Sequence, residues 1–244
     1  MKTKHIRRLA LATFLTGLAA CVLPPGAFAQ GMPQDHWYLE KTMMRPDMPG
    51  LNNPLGMAVG PGGEIYVGEY VNHRVSVWDA NGTFLRAWGS NGANEGEFAN
   101  PRDISISGDK VYVAEYTNHR IQVFDLNGTF LHKWGSYGSA DGQFYRPYGV
   151  AVDVDANGTQ VYVADGYNHR VQVFDVNGTF LRKWGSNGSA ADQFSHTFGI
   201  AIGPDGLIYV ASHSHHKVKV FQKNGTYVRS FTTLKSNGTT ANYP

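Results

Sequence analysis

The chain has 244 residues, of which 42% are hydrophobic, 13% aromatic and 16% charged, with 29 Gly and 11 Pro. So few charges, against about 25% in an ordinary globular chain, exclude a coiled coil, a disordered chain and a helix bundle; the aromatic, turn-rich composition suits an all-β protein with many hairpins. The formal net charge of +2 rests on Lys2, Lys4, Arg7 and Arg8; residues 30–244 hold 17 basic against 19 acidic side chains, about −2, which removes the electrostatic footprint of a nucleic-acid binder.

Residues 1–29 read as a secretory signal peptide. A positive stretch (Lys2 to Arg8) precedes an apolar run from Leu9 to Leu23, too short for a membrane span, then Pro24-Pro25-Gly26 and the small-x-small site Ala27-Phe28-Ala29. The chain is therefore expected to be exported, to the periplasm or the medium. Leu18-Ala19-Ala20-Cys21 also resembles a bacterial lipobox, which would make the product a membrane-anchored lipoprotein through Cys21, the chain's single cysteine. Cleavage after Ala29 leaves no thiol, so no disulfide is expected.

Residues 30–53 read as a leading outer strand, His36-Trp37-Tyr38-Leu39, and an exit loop. Four repeats follow, beginning at Pro54, Pro101, Pro147 and Thr197 and spanning residues 54–100, 101–146, 147–196 and 197–244. Each reads as four short strands; in the second they are Ile104-Ser105-Ile106, Val111-Tyr112-Val113-Ala114, Arg120 to Phe124, and Gly128 to Trp134. Four antiparallel strands per 46–50 residues make one propeller blade, and stacking buries the faces that a lone blade cannot. The third repeat is longer in one loop, where the stretch Val150 to Gly158 replaces the shorter Ile104 to Gly108 of the second. Asn242-Tyr243-Pro244 matches the Phe98 to Pro101 junction, so the four blades are expected to be an arc of a ring of five or six, with oligomerisation as the other way to cover the terminal faces.

Asn81-Gly82, Asn127-Gly128, Asn177-Gly178 and Asn224-Gly225 predict type I′ hairpins between the third and fourth strands. Trp88, Trp134 and Trp184 are expected to pack between blades. Glu69, Glu115 and Asp165, facing Arg74, Arg120 and Arg170, read as loop-pinning pairs, because catalysis needs one asymmetric site and not the same pair in every blade. Repeat four has Ser212 and Lys217 instead. His73, His119, His169 and His216 occupy equivalent outer loops, too far apart to converge on a metal at about 2.0–2.1 Å. The cluster His213, His215 and His216 has no carboxylate beside it, so no metal or other cofactor is expected.

Asn72-His73-Arg74-Val75, Asn118-His119-Arg120-Ile121 and Asn168-His169-Arg170-Val171, with Val163-Ala164-Asp165 before the third and Phe-Leu-x-x-Trp-Gly after each, resemble the signature of NHL-repeat β-propellers across residues 54–232. That family includes enzymes, RNA binders and protein-interaction platforms, so the resemblance implies the fold and not the activity. A more distant similarity, to peptidyl-α-hydroxyglycine α-amidating lyases, implies a central zinc held by histidines following the blade-opening Pro. The matching positions here are Leu55, Arg102, Tyr148 and Phe198; His196 lies just before a boundary.

Functional candidates are the residues that differ between repeats. Arg102, Tyr148 and Phe198 are expected to line the mouth of the central channel, joined on that face by Tyr70, Tyr116, Tyr167, His213 and Tyr137. Aromatics beside one Arg suit a peptide, glycan, protein or anionic small-molecule ligand. The resulting expectation is an exported ligand- or protein-binding scaffold, with a propeller-type lyase or hydrolase as the alternative.

Overall fold

The computed structural model describes residues 50–155 and 158–232. The expected signal peptide, Cys21, the leading strand at 36–39 and the blade junction at 242–244 lie outside the described residues. Those that are described form sixteen strands in four antiparallel sheets. Blade 1 is β1 (Pro54–Val59), β2 (Ile65–Glu69), β3 (Arg74–Trp78) and β4 (Phe84–Trp88); blade 2 is β5 (Pro101–Ser107), β6 (Lys110–Glu115), β7 (Arg120–Asp125) and β8 (Phe130–Trp134). Blade 3 is β9 (Pro147–Asp155), β10 (Gly158–Asp165), β11 (Arg170–Asp175) and β12 (Phe180–Trp184); blade 4 is β13 (Thr197–Ile202), β14 (Ile208–Ser212), β15 (Lys217–Phe221) and β16 (Tyr227–Phe231). The only helical turns among the described residues are 3₁₀ segments at Gly166–Asn168 and His213–His215. The extra length of repeat three extends the β9–β10 hairpin and leaves the rest of the blade in register.

The inner strands β1, β5, β9 and β13 pack side by side in chain order around a central cavity of about 360 Å³. Period-two alternation sends each strand's apolar residues to both neighbouring blades, so the core consists of three interblade layers. Tyr66, Val75, Val77 and Phe98 meet Ile104, Val111, Val113 and Phe124 between blades 1 and 2, and the same positions recur at the next two junctions. Met57 of β1 is 53% exposed, whereas its counterparts Ile104 and Val150 are 4% and 3% exposed.

The hairpins differ from the expected type I′ geometry. Gly82, Gly128, Gly178 and Gly225 have φ between 81° and 92°, but the Asn before each is not in the left-handed region. The register slips by one residue beside each turn. These are type I turns closed by a left-handed Gly and a bulge. In the first three blades an Asp favours this choice: Asp125 Oδ1 accepts the Asn127 and Thr129 N–H groups at 2.9 and 2.8 Å, which draws the chain into an Asx turn before the Gly. In blade 4, with Gln222 at that position, Asn224 Oδ1 accepts the Thr226 N–H at 3.0 Å. The Gly has a second reason to be there. A Cβ at Gly128 would lie 2.5 Å from the Trp88 ring of the preceding blade, and Gly178 and Gly225 meet Trp134 and Trp184 in the same way. Each Trp thus packs between blades, as expected, on the turn of its neighbour.

Asp103 bridges two inner strands. It occupies the register of Gly56, Gly149 and Gly199 in the other repeats, and its carboxylate accepts the Ile104 N–H at 3.0 Å and the Val150 N–H of β9 at 2.9 Å. Backbone presses on it closely: a Cβ at Gly56 would fall 2.3 Å from the Asp103 Cα. Burial pushes its carboxyl up to about 7, against the two amide hydrogen bonds that favour the anion.

Two outcomes follow from this packing. Gly82→Ala and Gly128→Ala should each lose about 1–2 kcal/mol to the positive φ, and Gly128→Ala a further 1–3 kcal/mol or so through overpacking; nothing lies within 4 Å of a Cβ at Gly82. Equal losses in urea unfolding would contradict the Trp–Gly seat. The native Asp103 carboxyl keeps its proton up to about 7, whereas an unfolded one ionises near 3.8. The folded state therefore binds the extra proton between these values, and its stability falls as pH rises through that window. Asp103→Asn should flatten this part of the stability–pH curve; an unchanged slope would contradict the assignment.

Candidate functional site

The NHL-type motif builds the upper face. At the junction of blades 1 and 2, Asn118 donates to Glu115 at 2.6 Å and to the Gly92 carbonyl at 2.8 Å. Arg120 donates to Glu115 at 2.5 Å and also to the Ala93, Asn94 and Glu97 carbonyls of the loop leaving blade 1. Arg170 repeats the pattern with Asp165 at 2.8 Å and the Ser139, Ala140 and Gln143 carbonyls. Glu69 pairs with Arg74 at 2.9 Å, and Arg74 reaches the Gly50 carbonyl. All three carboxylates are fully buried, so these pairs hold loops in place and present no carboxylate to a ligand. In blade 4 the Lys217 position is exposed; Lys219, two residues on, donates to the Ala190 and Gln193 carbonyls, and burial lowers its pKa.

The histidines are tethers as well. His73, His119 and His169 sit at φ 52–55°, and each Nδ1 accepts the backbone N–H of the residue just before the next blade opens: Asn100 at 3.1 Å, Arg146 at 3.0 Å and His196 at 3.0 Å. The zinc implied by the amidating-lyase similarity does not fit this donor set. Three of the histidines commit a ring nitrogen to separate blade junctions, and among the described residues no group of three or more His, Cys, Asp or Glu converges on one point.

On this frame the repeat-breaking residues meet. Arg102, Tyr148 and Phe198 are the second residues of β5, β9 and β13. The Arg102 Cζ stands 4.0 Å from the Tyr148 ring centroid, 5.5 Å from Phe198 and 5.7 Å from Tyr116. Tyr148 and Phe198 stack at 4.3 Å and 11°, and Phe198 stacks on His213 at 4.3 Å. Tyr148 is seated by an omission: where blades 1 and 2 carry Tyr70 and Tyr116, blade 3 has Gly166, and a Cβ there would fall 2.2 Å from the Tyr148 ring. Tyr70 joins through an edge contact with Tyr116 at 6.0 Å, and Tyr116 meets Tyr148 at 5.2 Å. Tyr167 lies 6.2 Å from Tyr148 and 5.0 Å from Tyr145, which in turn contacts the exposed Tyr137 at 5.2 Å. The seven expected site residues therefore belong to one patch.

Its electrostatics are uneven. Among the described residues no acceptor pairs with the half-buried Arg102 guanidinium, whose pKa is lowered by burial. Burial raises the Tyr148 phenol, whereas the hydrogen bond from Arg146 lowers that of Tyr167. Arg146 was not foreseen from the sequence. Its Cζ stands 4.9 Å from the Tyr116 ring and 4.8 Å from Tyr167. Tyr145 and Gly166 were also missed; the signal for all three is a departure from the sister repeats, at the end of repeat two for Tyr145 and Arg146 and within repeat three for Gly166.

Residues 51–78, 98–124 and 144–174 match the NHL repeat family. No curated protein matches the chain in sequence. Among solved structures, similarity extends to a catalytically inactive virginiamycin B lyase variant from Staphylococcus aureus with quinupristin, at TM-score 0.55 and 16% identity over 74% of this chain and 55% of that one. A streptogramin B lyase gives TM-score 0.56 and 14% identity over 77% of this chain and 56% of its own. A protein of unknown function from Bacteroides caccae gives 0.53 and 16% over 74% and 61%. The chain thus spans little more than half the length of these proteins, and at such identities they bear on the fold alone. Three NHL-repeat matches fall on three consecutive four-stranded blades, so the chain is a β-propeller with NHL repeats in its first three blades.

Proposed function

We propose that this propeller works outside the cytoplasm as a binding scaffold whose channel mouth holds an anion-bearing ligand, such as an acidic peptide, glycan or small molecule. The observation that carries the reading is Arg102, a guanidinium drawn among three aromatic rings with no acceptor for its N–H groups among the described residues. None of its nitrogens is fully buried, so the half-buried guanidinium remains open to a ligand from solvent. A carboxylate or similar anion can accept charge-assisted hydrogen bonds from Arg102 in this partly desolvated setting, and Tyr148, Phe198 and Tyr116 supply flat surface beside it. Arg and Tyr are also the residue types that dominate binding hot spots. Export, to the periplasm or the medium or as a lipoprotein on Cys21, rests on the N-terminal sequence. The charge of about −2 beyond residue 29 disfavours nucleic acid as the partner.

A second reading, a propeller lyase, has one observation in its favour. Asp103 follows Arg102 into the central cavity and holds its proton up to about 7, a value suited to general acid–base chemistry. Both its oxygens are engaged by backbone amides, which favours the binding reading.

The test is a screen of soluble carboxylates, acidic peptides and acidic oligosaccharides, repeated on variants of both faces. Arg102→Leu, the residue blade 1 carries at this position, and Tyr148→Leu should weaken any hit by about 1–3 kcal/mol with blade stability kept. Asn127→Ala, on the hairpin face, should leave the affinity of the folded protein unchanged. Binding that survives at Arg102 and Tyr148 but is lost with Asn127 would place the site on the wrong face.

A further inference from the structure

Arg146 is a second break in the repeat, and it points at the same mouth. The residue before each blade-opening position is Asn53, Asn100, Arg146 or His196, all in the left-handed region, at φ 50°, 59°, 59° and 56°. Asn100 uses its side chain structurally, donating to the Tyr70 carbonyl at 3.0 Å. Arg146 instead lays its guanidinium over Tyr116 and Tyr167. Its backbone is clamped from both sides: its N–H donates to His119 Nδ1 at 3.0 Å, and its carbonyl accepts the Gly166 N–H at 3.2 Å. The side chain therefore leaves a fixed point of the frame.

Arg102 and Arg146 share one ring. Their Cζ atoms lie 5.7 Å and 4.9 Å from the Tyr116 centroid, so the two charges stand no more than 10.6 Å apart. Neither has a carboxylate partner among the described residues. The nearby acids are committed: Glu115 to Arg120, Asp165 to Arg170, and Asp103 to the Val150 and Ile104 amides. The Tyr116 ring contacts both cations, while Tyr148 packs on Arg102 and Tyr167 on Arg146. Two like charges held over the same aromatic surface repel each other; an anion on one relieves that repulsion, and a second acidic group is needed to give the other guanidinium its own partner.

We infer that the mouth is built for a diacid, a small molecule carrying two acidic groups of which one pairs with Arg102 and the other with Arg146 across the Tyr116–Tyr148–Tyr167 surface. This inference rests on the binding reading above and narrows it to a ligand class. The second ion pair forms within an existing complex, so it adds affinity without a second association cost.

The experiment uses α,ω-dicarboxylates from succinate to suberate as rulers, each against the monocarboxylate of equal chain length, in calorimetric titrations of the whole exported chain at low salt. The variants come from the protein's own repeats: Arg102→Leu as in Leu55, and Arg146→Asn as in Asn100. On the native protein at least one diacid should bind about tenfold or more tighter than its monoacid partner. Arg146→Asn should reduce that advantage to within about twofold while leaving monoacid binding in place, and Arg102→Leu should weaken both. Monoacids that bind through Arg102 with no diacid advantage would overturn the diacid inference and leave the binding reading standing. An advantage that survives Arg146→Asn would overturn it too. If neither series binds in a way that depends on Arg102, both readings fall.

Discussion

Arg120 and Arg170 each bring a guanidinium, about 6% exposed, to a fully buried carboxylate of their own blade and to three carbonyls of the loop arriving from the blade before. Neither half of that arrangement is stable alone. A buried carboxylate without its cation costs several kcal/mol, and a buried loop with unpaired carbonyls costs a comparable amount. Joining them at the junction solves both problems at once, and it makes each blade's ion pair depend on its neighbour's backbone. The apolar layers between blades supply most of the burial, but they are non-directional. The ion pairs, with the His tethers, fix where the loops of the upper face lie.

That division of labour explains why function can reside in so few positions. The Asn-His-Arg triplets, the Trp–Gly seats and the Phe anchors of the exit loops repeat and are consumed by structure. What remains free to vary is the second residue of each inner strand, the residue before the blade opening and the first residue after β2, β6, β10 and β14. Those positions lie side by side on one face, so departures from the repeat at Arg102, Arg146, Tyr148, Gly166 and Phe198 accumulate in a single patch. A glycine in place of a tyrosine at 166 is part of the same change, because it gives the Tyr148 ring its place.

The fold was legible because strand alternation and a 46–50-residue period are strong, redundant signals. The acid–arginine pairs were readable for the same reason, since three of the four copies place them at one offset. The turn type was not: Asn-Gly favours type I′ in isolation, but Asp125 and its equivalents compete for the amides of the turn, a local hydrogen-bond preference that overrides the dipeptide. Arg102, Tyr148 and Phe198 could be picked out by aligning the repeats. Arg146 escaped because it falls on the boundary, where it reads as the last residue of blade 2 although its side chain belongs to the mouth. The raised pKa of Asp103 depends on how closely β1 and β9 approach it, and no one-dimensional pattern encodes that distance.

The central claim is that one rigid, repeat-built face carries an anion-binding mouth centred on Arg102. The most direct measurement is the nuclear magnetic resonance signal of the Arg102 Nε–H group, followed with the backbone amides while an anionic ligand is titrated. The account predicts a shift of that signal together with amides near 116–119, 145–149, 166–169 and 198, and silence at the hairpins 79–83, 125–129 and 175–179. Binding that moves the hairpin amides and leaves the Arg102 signal in place would contradict it.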